Sequence, residues 1–232
     1  MSLLASLFSA LSLLAPAAAA PRTLVAAGDI ASCASPHDEA TAALVARMPG
    51  TVAVLGDAVY EHGTEAEFAE CYSWREFRRR TRAALGNHEY GTPGAAPARA
   101  YFGLPPRGYY SYDLGAWHVV VINSNCTPAG GCSAGSPQER WLRADLARSG
   151  ARCTVAYWHH ARYTSGIHGP DRTMAPIWRA LADAREGDAG RQGGVRAGAR
   201  APASVTDILP LAPPASMMAR VPTPGRELRF EG

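Results

Sequence analysis

Lysine is absent from this 232-residue chain, so all 23 basic residues are arginine. Together with heavy use of Ala, Gly and Pro, this reads as GC-rich coding rather than nucleic-acid binding, and a formal net charge of +3 is small for the length. The one dense basic run, Arg75 to Arg82, is interrupted by Glu76, Phe77 and Thr81 and is expected to be a solvated helix face. Weak charge and the lack of a clustered aromatic platform argue against a nucleic-acid partner. No cysteine pair has zinc-ribbon spacing, which argues against a structural zinc. Ser165 lacks a Gly-x-Ser-x-Gly elbow, which weighs against a serine hydrolase built from it, a nearby histidine and an acid. Finally, no histidine follows His168, and no aromatic residue lies between Trp178 and Phe230.

What is present fits one sizeable domain: 232 residues at 47% hydrophobic composition can bury a core of their own. The N-terminus, Leu3 to Ala20, resembles a secretory signal peptide, with small residues at Ala18 and Ala20 suited to cleavage. It is short of the roughly 20 apolar residues of a membrane span. No basic residue precedes the apolar stretch, which leaves an uncleaved anchor or a misassigned start open. Residues 1–20 are therefore expected to be removed, leaving no stable membrane span and a secreted, periplasmic or extracellular protein. Five cysteines in an exported chain favour disulfides. Cys126 and Cys132 bracket a turn and can close a small loop; Cys33 and Cys71 would link two segments near the candidate site. Cys153 is left over, although it could also compete for Cys126 or Cys132.

Thr23 to Ala27 and Thr51 to Leu55 are short apolar runs ending in Gly28-Asp29 and Gly56-Asp57, and both read as buried strands with an acid at the carboxyl end. Between them, Pro36 to Met48 places Ala40, Leu44 and Met48 at helical spacing, and Pro49-Gly50 stops the helix. Strand, helix and strand imply a parallel crossover, whose ligand crevice lies beyond the carboxyl ends of the strands. Tyr109 to Leu114 and Trp117 to Ile122 read as two further strands, followed by a Gly- and Pro-rich loop over Asn123 to Ser136. Ser136-Pro137 starts a helix with Trp141, Leu142 and Leu146 inward. Val155 to Trp158 is a buried strand delivering His159 and His160, and a helix spans about Met174 to Arg185.

The polar residues at the strand ends form an ordered series: Gly28-Asp29; Gly56-Asp57 with Tyr60; Gly86-Asn87-His88-Glu89; His159-His160. Hard and borderline cations take carboxylate oxygen and imidazole nitrogen, and two cations about 3.5 to 4 Å apart need a carboxylate between them, for which Asp57 is the natural bridge. Such a pair polarises a phosphoryl oxygen and generates hydroxide near neutral pH. Singly, Asp29 or Asp57 would read as a helix cap or salt-bridge partner, Asn87 as turn chemistry and Tyr60 as a half-buried aromatic. His118, on an apolar strand, reads as a satisfied core histidine, and His37 and His62 as loop residues at the surface.

Over roughly Thr23 to Leu181, the four ordered motifs resemble the calcineurin-like metallophosphoesterases, and within them the purple acid phosphatase branch. The resemblance implies an α/β fold, the four-layer α/β/β/α sandwich. It implies that Asp29, Asp57 and Tyr60 ligate one metal and Asp57, Asn87 and His159 the other. It makes His88 the phosphate contact and general acid, and places His160, Tyr163 and His168 at the substrate rim. Tyr60 stands where that branch supplies a phenolate to ferric iron, so the implied cofactor is iron paired with zinc, manganese or iron. The implied partner is a small phosphate ester.

One part of the pattern is missing. The family's late Gly-His-x-His motif, one histidine for each metal, has no counterpart after His168. From Glu186 the composition turns to Gly, Arg, Ala and Pro, strand periodicity vanishes, and residues 186–232 read as a low-complexity tail, disordered or wrongly translated. The abrupt break reads as a frameshift near Glu186. The core is thus expected at 21–185, with its second sheet incomplete at the C-terminus and activity reduced or lost. The competing expectation is a non-catalytic exported module that binds phosphate or a partner.

Overall fold

The computed structural model describes residues 23–35, 38–151, 153–191 and 217–220. The expected signal peptide (1–20), His37 and most of the 186–232 tail lie outside the described residues. Strand β1 (Leu24–Ala27) leads through the short β2 (Ala31–Ser32) into α1 (Asp38–Ala46) and then β3 (Thr51–Leu55). β1 and β3 pair in parallel, Leu24 opposite Thr51, as the strand-helix-strand pattern requires. β4 (Val59–Tyr60) pairs in parallel with β2 beyond the ends of β1 and β3. After α2 (Glu65–Glu70) and a 3-10 helix (Ser73–Arg80), β5 (Thr81–Ala84) joins β3 in parallel, and α3 (Ala96–Phe102) closes this half.

The second half opens with β6 (Tyr110–Leu114) and β7 (Trp117–Val121), an antiparallel pair. A one-turn helix, α4 (Cys126–Ala129), sits inside the expected loop, and α5 (Pro137–Arg148) starts at Ser136, whose hydroxyl accepts from Glu139 N. β8 (Cys153–Trp158) lies parallel to β7, α6 (Ala175–Arg191) follows, and β9 (Met217–Arg220) pairs antiparallel with β8. The two main sheets run β1-β3-β5 and β6-β7-β8-β9.

Alternation along the strands sorts the core into three interlayer spaces. Val52 and Val54 of β3 face Ala42 and Val45 of α1 and Trp74 and Phe77 of the 3-10 helix, whereas Ala53 and Leu55 face the other sheet. Likewise Val119 and Val121 of β7 turn inward to that sheet-sheet space, while Val120 and Ile122 pack with Leu142 of α5 and Ile177 of α6. Helices, sheet, sheet and helices therefore stack in that order, the α/β architecture expected. Burying each such side chain contributes about 1.5 to 3 kcal/mol. Between the sheets, the alanines Ala26, Ala53 and Ala84 leave room for Tyr110, Tyr112 and Tyr157. Two of those tyrosines reach across: Tyr110 donates to Ala83 O and Tyr157 to Arg82 O, each at 3.0 Å. Disulfides join Cys33 to Cys71 and Cys126 to Cys132, and Cys153 on β8 belongs to neither.

Three expectations need correction. Helix α1 buries Asp38, Ala42 and Val45 and leaves Leu44 and Met48 over 40% exposed, the reverse of the expected face. The turn is set by Asp38, which accepts from Ser73 N at 3.1 Å and Ser73 Oγ at 2.5 Å, so a polar anchor overrides the apolar spacing. In the Arg75–Arg82 run, Arg75, Arg78, Arg79 and Arg82 are exposed as expected, but the run is not one helix face: it crosses the 3-10 helix into β5, Arg78 and Arg82 lie over the rings of Tyr101 and Tyr112, and Arg80 donates to Val45 O, Met48 O and Gly50 O at 2.9 Å. The tail does supply one strand, because the free edge of β8 presents backbone donors and acceptors that β9 pairs without needing apolar periodicity. Helix α6 also continues past Glu186 to Arg191. Histidine 118 is satisfied as expected, with its ring nitrogens 3.0 Å from Asp113 Oδ1 and 2.8 Å from Asp145 Oδ2.

Removing the Arg80 guanidinium takes a donor from three carbonyls at and just after the end of α1, of which Val45 O keeps the Met48 N–H. Arg80→Ala is expected to lower unfolding free energy by about 2 kcal/mol in urea titration, against no more than about 0.5 kcal/mol for exposed Arg79→Ala.

Candidate metal centre

The parallel register brings the ends of β1 and β3 to one edge: beyond the strands, Asp29 N donates to Gly56 O at 3.1 Å and Ile30 N to Asp57 O at 3.0 Å. Asp29 and Asp57 both take left-handed backbone conformations, φ 55° and 47°, which turns their side chains out of the strand direction. Aspartate tolerates this region better than most residues, at a cost of order 1 kcal/mol. The loop after β5 adds Gly86 to Glu89, and the end of β8 adds His159 from the second sheet.

These residues meet. One ligand atom from each of Asp29, Asp57 and His159 lies within 4.8 Å of the others. Tyr60 donates its hydroxyl to Asp29 Oδ1 at 2.6 Å and stands 3.3 Å from Asp57 Oδ2. His159 Nε2 is 3.2 Å from both Asp57 Oδ2 and Asn87 Oδ1, while its Nδ1 faces Leu55 O at 3.1 Å. That carbonyl only accepts, so Nδ1 carries a hydrogen and Nε2 is the atom turned to the cluster. Two glycines make the approach possible. A Cβ on Gly56 would come within 2.6 Å of His159 Nδ1, and one on Gly86 would collide with the Asp57 carboxylate and lie 2.5 Å from Asp57 N.

Beneath this layer lies Glu89, only 1% exposed. Its Oε2 accepts from Gly86 N at 2.7 Å and Asp57 N at 3.0 Å, and its Oε1 from Ala58 N at 2.8 Å. One carboxylate thus ties the Asp57 turn to the Gly86 loop. Burial, and then the Asp57 charge, push its pKa up to about 7 against the pull of those backbone donors. Asp57 moves the other way: burial would raise it, but the hydrogen bond and charge of His159 and the His88 N–H hold it below the usual carboxylate range. In His159, burial is outweighed by Asp57, so its pKa rises. Burial, and then Asp29 and Asp57, push the Tyr60 phenol well up.

Of the remaining expected residues, His88 sends its backbone N–H to Asp57 Oδ1 at 3.0 Å and holds its ring Nε2 3.9 Å from Asp57 Oδ2. His160 packs beside His159 with ring centroids 4.8 Å apart, its Nδ1 2.8 Å from Ser124 Oγ. Tyr163 packs edge-on to Trp178, and His168 lies exposed on the loop 161–170, outside this hydrogen-bonded cluster. Residue-by-residue reading gave Glu89 no role beyond completing its motif and overlooked Ser124, which binds both the ring and the backbone N–H of His160. Ser124 carried no local signal at all. Glu89 had one, as an acid following a Gly-Asn-His turn.

The donor set is oxygen and imidazole nitrogen, suited to hard and borderline cations, and the two glycines keep the cradle open; the residues fit the cations the fold implies. Gly86→Ala is expected to cost about 3 kcal/mol or more in denaturant unfolding and to cut bound metal at least about tenfold by elemental analysis.

The calcineurin-like phosphoesterase family model matches residues 16–184, well over half of the 232-residue chain. No curated protein matches it significantly. With the matched span covering every residue of the cluster, the chain belongs to the calcineurin-like phosphoesterase family, whose members are hydrolases that use divalent metals.

Proposed function

We propose that this chain is built to hydrolyse small phosphate esters, monoesters foremost, at a centre of two cations. Asp29, Asp57 and Tyr60 would hold one cation, and Asp57, Asn87 and His159 the other. The resemblance to purple acid phosphatases makes iron paired with zinc, manganese or iron the expected content. The observation that carries this reading is the convergence of Asp29, Asp57 and His159 within 4.8 Å, from three strands of two sheets. When bound, the cations supply Lewis acidity toward the phosphoryl oxygens and a lowered pKa for the attacking water.

The protein's own groups then have defined tasks. His88 gives a proton to the leaving-group oxygen. Ser124 Oγ accepts from His160 N at 3.0 Å, so its own hydrogen is free for His160 Nδ1, and Nε2–H is left to donate to a phosphate oxygen. Burial, and then the His159 charge, keep the His160 pKa low, so that ring stays neutral. His168 is placed at the outer rim. Tyr60 becomes a ligand only by losing its phenolic proton, whereas His159 ligates through an Nε2 free of hydrogen.

Two histidines of the late Gly-His-x-His motif have no counterpart, so both cation sites lack an imidazole. We propose weakened metal binding and low turnover as the result, with residues 186–232 as a frameshifted tail. Two disulfides are compatible with a secreted protein, and no helix among the described residues is long and apolar enough to cross a membrane. The missing histidines favour, as a second reading, an exported phosphate- or partner-binding module without catalysis.

Zinc titration by calorimetry in buffers of differing ionisation enthalpy should show proton release and an affinity that falls as pH falls, because His159 is protonated more readily than a free imidazole. Binding without proton release would remove Tyr60 from the ligand set. Hydrolysis of p-nitrophenyl phosphate should be weak in this chain and rise at least about a hundredfold once a Gly-His-x-His segment is restored. No turnover in either form ends the phosphatase reading, and fewer than two metals per chain favours the binding module.

A further inference from the structure

Helix α2 opens with Thr64-x-x-Glu67. The Thr64 hydroxyl accepts from Glu67 N at 3.2 Å, and Glu67 Oε2 accepts from Thr64 N at 2.7 Å, the reciprocal bonds of a capping box. A cap asks one backbone donor of its glutamate. Glu67 collects three: besides Thr64 N, its Oε1 accepts from Glu61 N at 2.7 Å, and both oxygens lie 3.3 Å from His62 N. The loop that follows Tyr60 is thereby fastened to the first turn of α2.

That loop touches His88. With the N–H groups on both sides of it, Glu61 N and His62 N, turned to Glu67, the Glu61 carbonyl is directed to His88 Nδ1 at 2.7 Å. A carbonyl only accepts, so Nδ1 carries the hydrogen and Nε2 is left on the opposite ring edge, the one 3.9 Å from Asp57 Oδ2. The Tyr60 ring closes the side of the imidazole, centroids 4.3 Å apart at 66°. No side chain separates the loop from the His88 turn: a Cβ on Gly63 would be 2.8 Å from Glu89 Cα, and one on Gly91 2.8 Å from His62 Cα. The Glu61 carbonyl therefore cannot move without moving the turn, and Glu67 is what holds it.

We infer that Glu67 is a positioning residue for His88: it fixes the Glu61 carbonyl so that Nδ1 keeps its hydrogen and Nε2, once it has taken up a proton from solvent, presents that proton to the leaving-group oxygen of a phosphate ester and returns to the neutral Nδ1–H ring. This rests on the reading of His88 as proton donor given above. A residue that only capped α2 would change stability and nothing at the imidazole.

Glu67→Ala and Thr64→Ala separate the two roles, since Thr64→Ala removes the cap hydroxyl and leaves the bonds from Glu67 to Glu61 and His62. In metal-free protein, ¹⁵N NMR of the His88 ring should show hydrogen on Nδ1 in wild type and Thr64→Ala, and mixed tautomers in Glu67→Ala. If Glu67→Ala does not fold, Glu67→Gln, which turns a donor toward one of the same N–H groups, should show the mixture instead. With metals loaded and the Gly-His-x-His segment restored, Glu67→Ala should lose about a hundredfold in kcat/KM on an alkyl phosphate, whose leaving group needs the proton. On 2,4-dinitrophenyl phosphate, which does not need it, the loss should stay within about threefold. An unchanged His88 tautomer, or equal losses on both esters, overturns the inference. Should the wild-type restored chain hydrolyse neither ester, the phosphatase reading fails, while the tautomer result still decides whether Glu67 orients the ring.

Discussion

The position of the Asp57 carboxylate is the constraint on which the rest of this molecule depends. Its backbone is turned out of β3 in a left-handed conformation, its amide is held by buried Glu89, and its oxygens meet Tyr60, the His88 amide and His159. Tyr60 arrives with β4, His88 and Glu89 with the loop after β5, and His159 with the end of β8. A buried carboxylate with so many convergent donors is costly to desolvate, and the neighbouring imidazole offsets that cost. Gly56 and Gly86 are needed because the Asp57 turn and His159 leave no volume for a Cβ on either.

Much of this was legible in the residues. Apolar runs ending in Gly-Asp define β1 and β3, and Leu24 opposite Thr51 then sends both acids past the same edge. His159 follows a buried strand in the same way. The pairings Cys33–Cys71 and Cys126–Cys132 were among those the sequence offered, but only the fold excludes Cys153 as a partner for Cys126 or Cys132. For those strands a short local pattern, strand then polar residue, is enough to fix direction.

What was illegible depends on contacts distant in sequence. The buried face of α1 is decided by Asp38 meeting Ser73, 35 residues away, and no helical periodicity reports that. Arg80 looks like one more surface arginine until its three carbonyl partners at the end of α1 are seen. β5 lacks an apolar signature because it is short and Arg82, its one exposed position, stretches over the Tyr112 ring. β9 is held by the open edge of β8, a property of the partner strand. Glu67 and Ser124 act through backbone groups, which residue identity does not announce.

Because Asp29, Asp57 and Asn87 come from the first half of the chain and His159 from the second sheet, a cation held by the proposed ligands would report on sheet docking. The bond from His159 Nδ1 to Leu55 O crosses the gap between the layers, 104 residues apart in sequence. Any excursion that separates β8 from β3 would part His159 from the other proposed ligands. A cation held by the proposed ligands would in turn favour the docked layers by mass action.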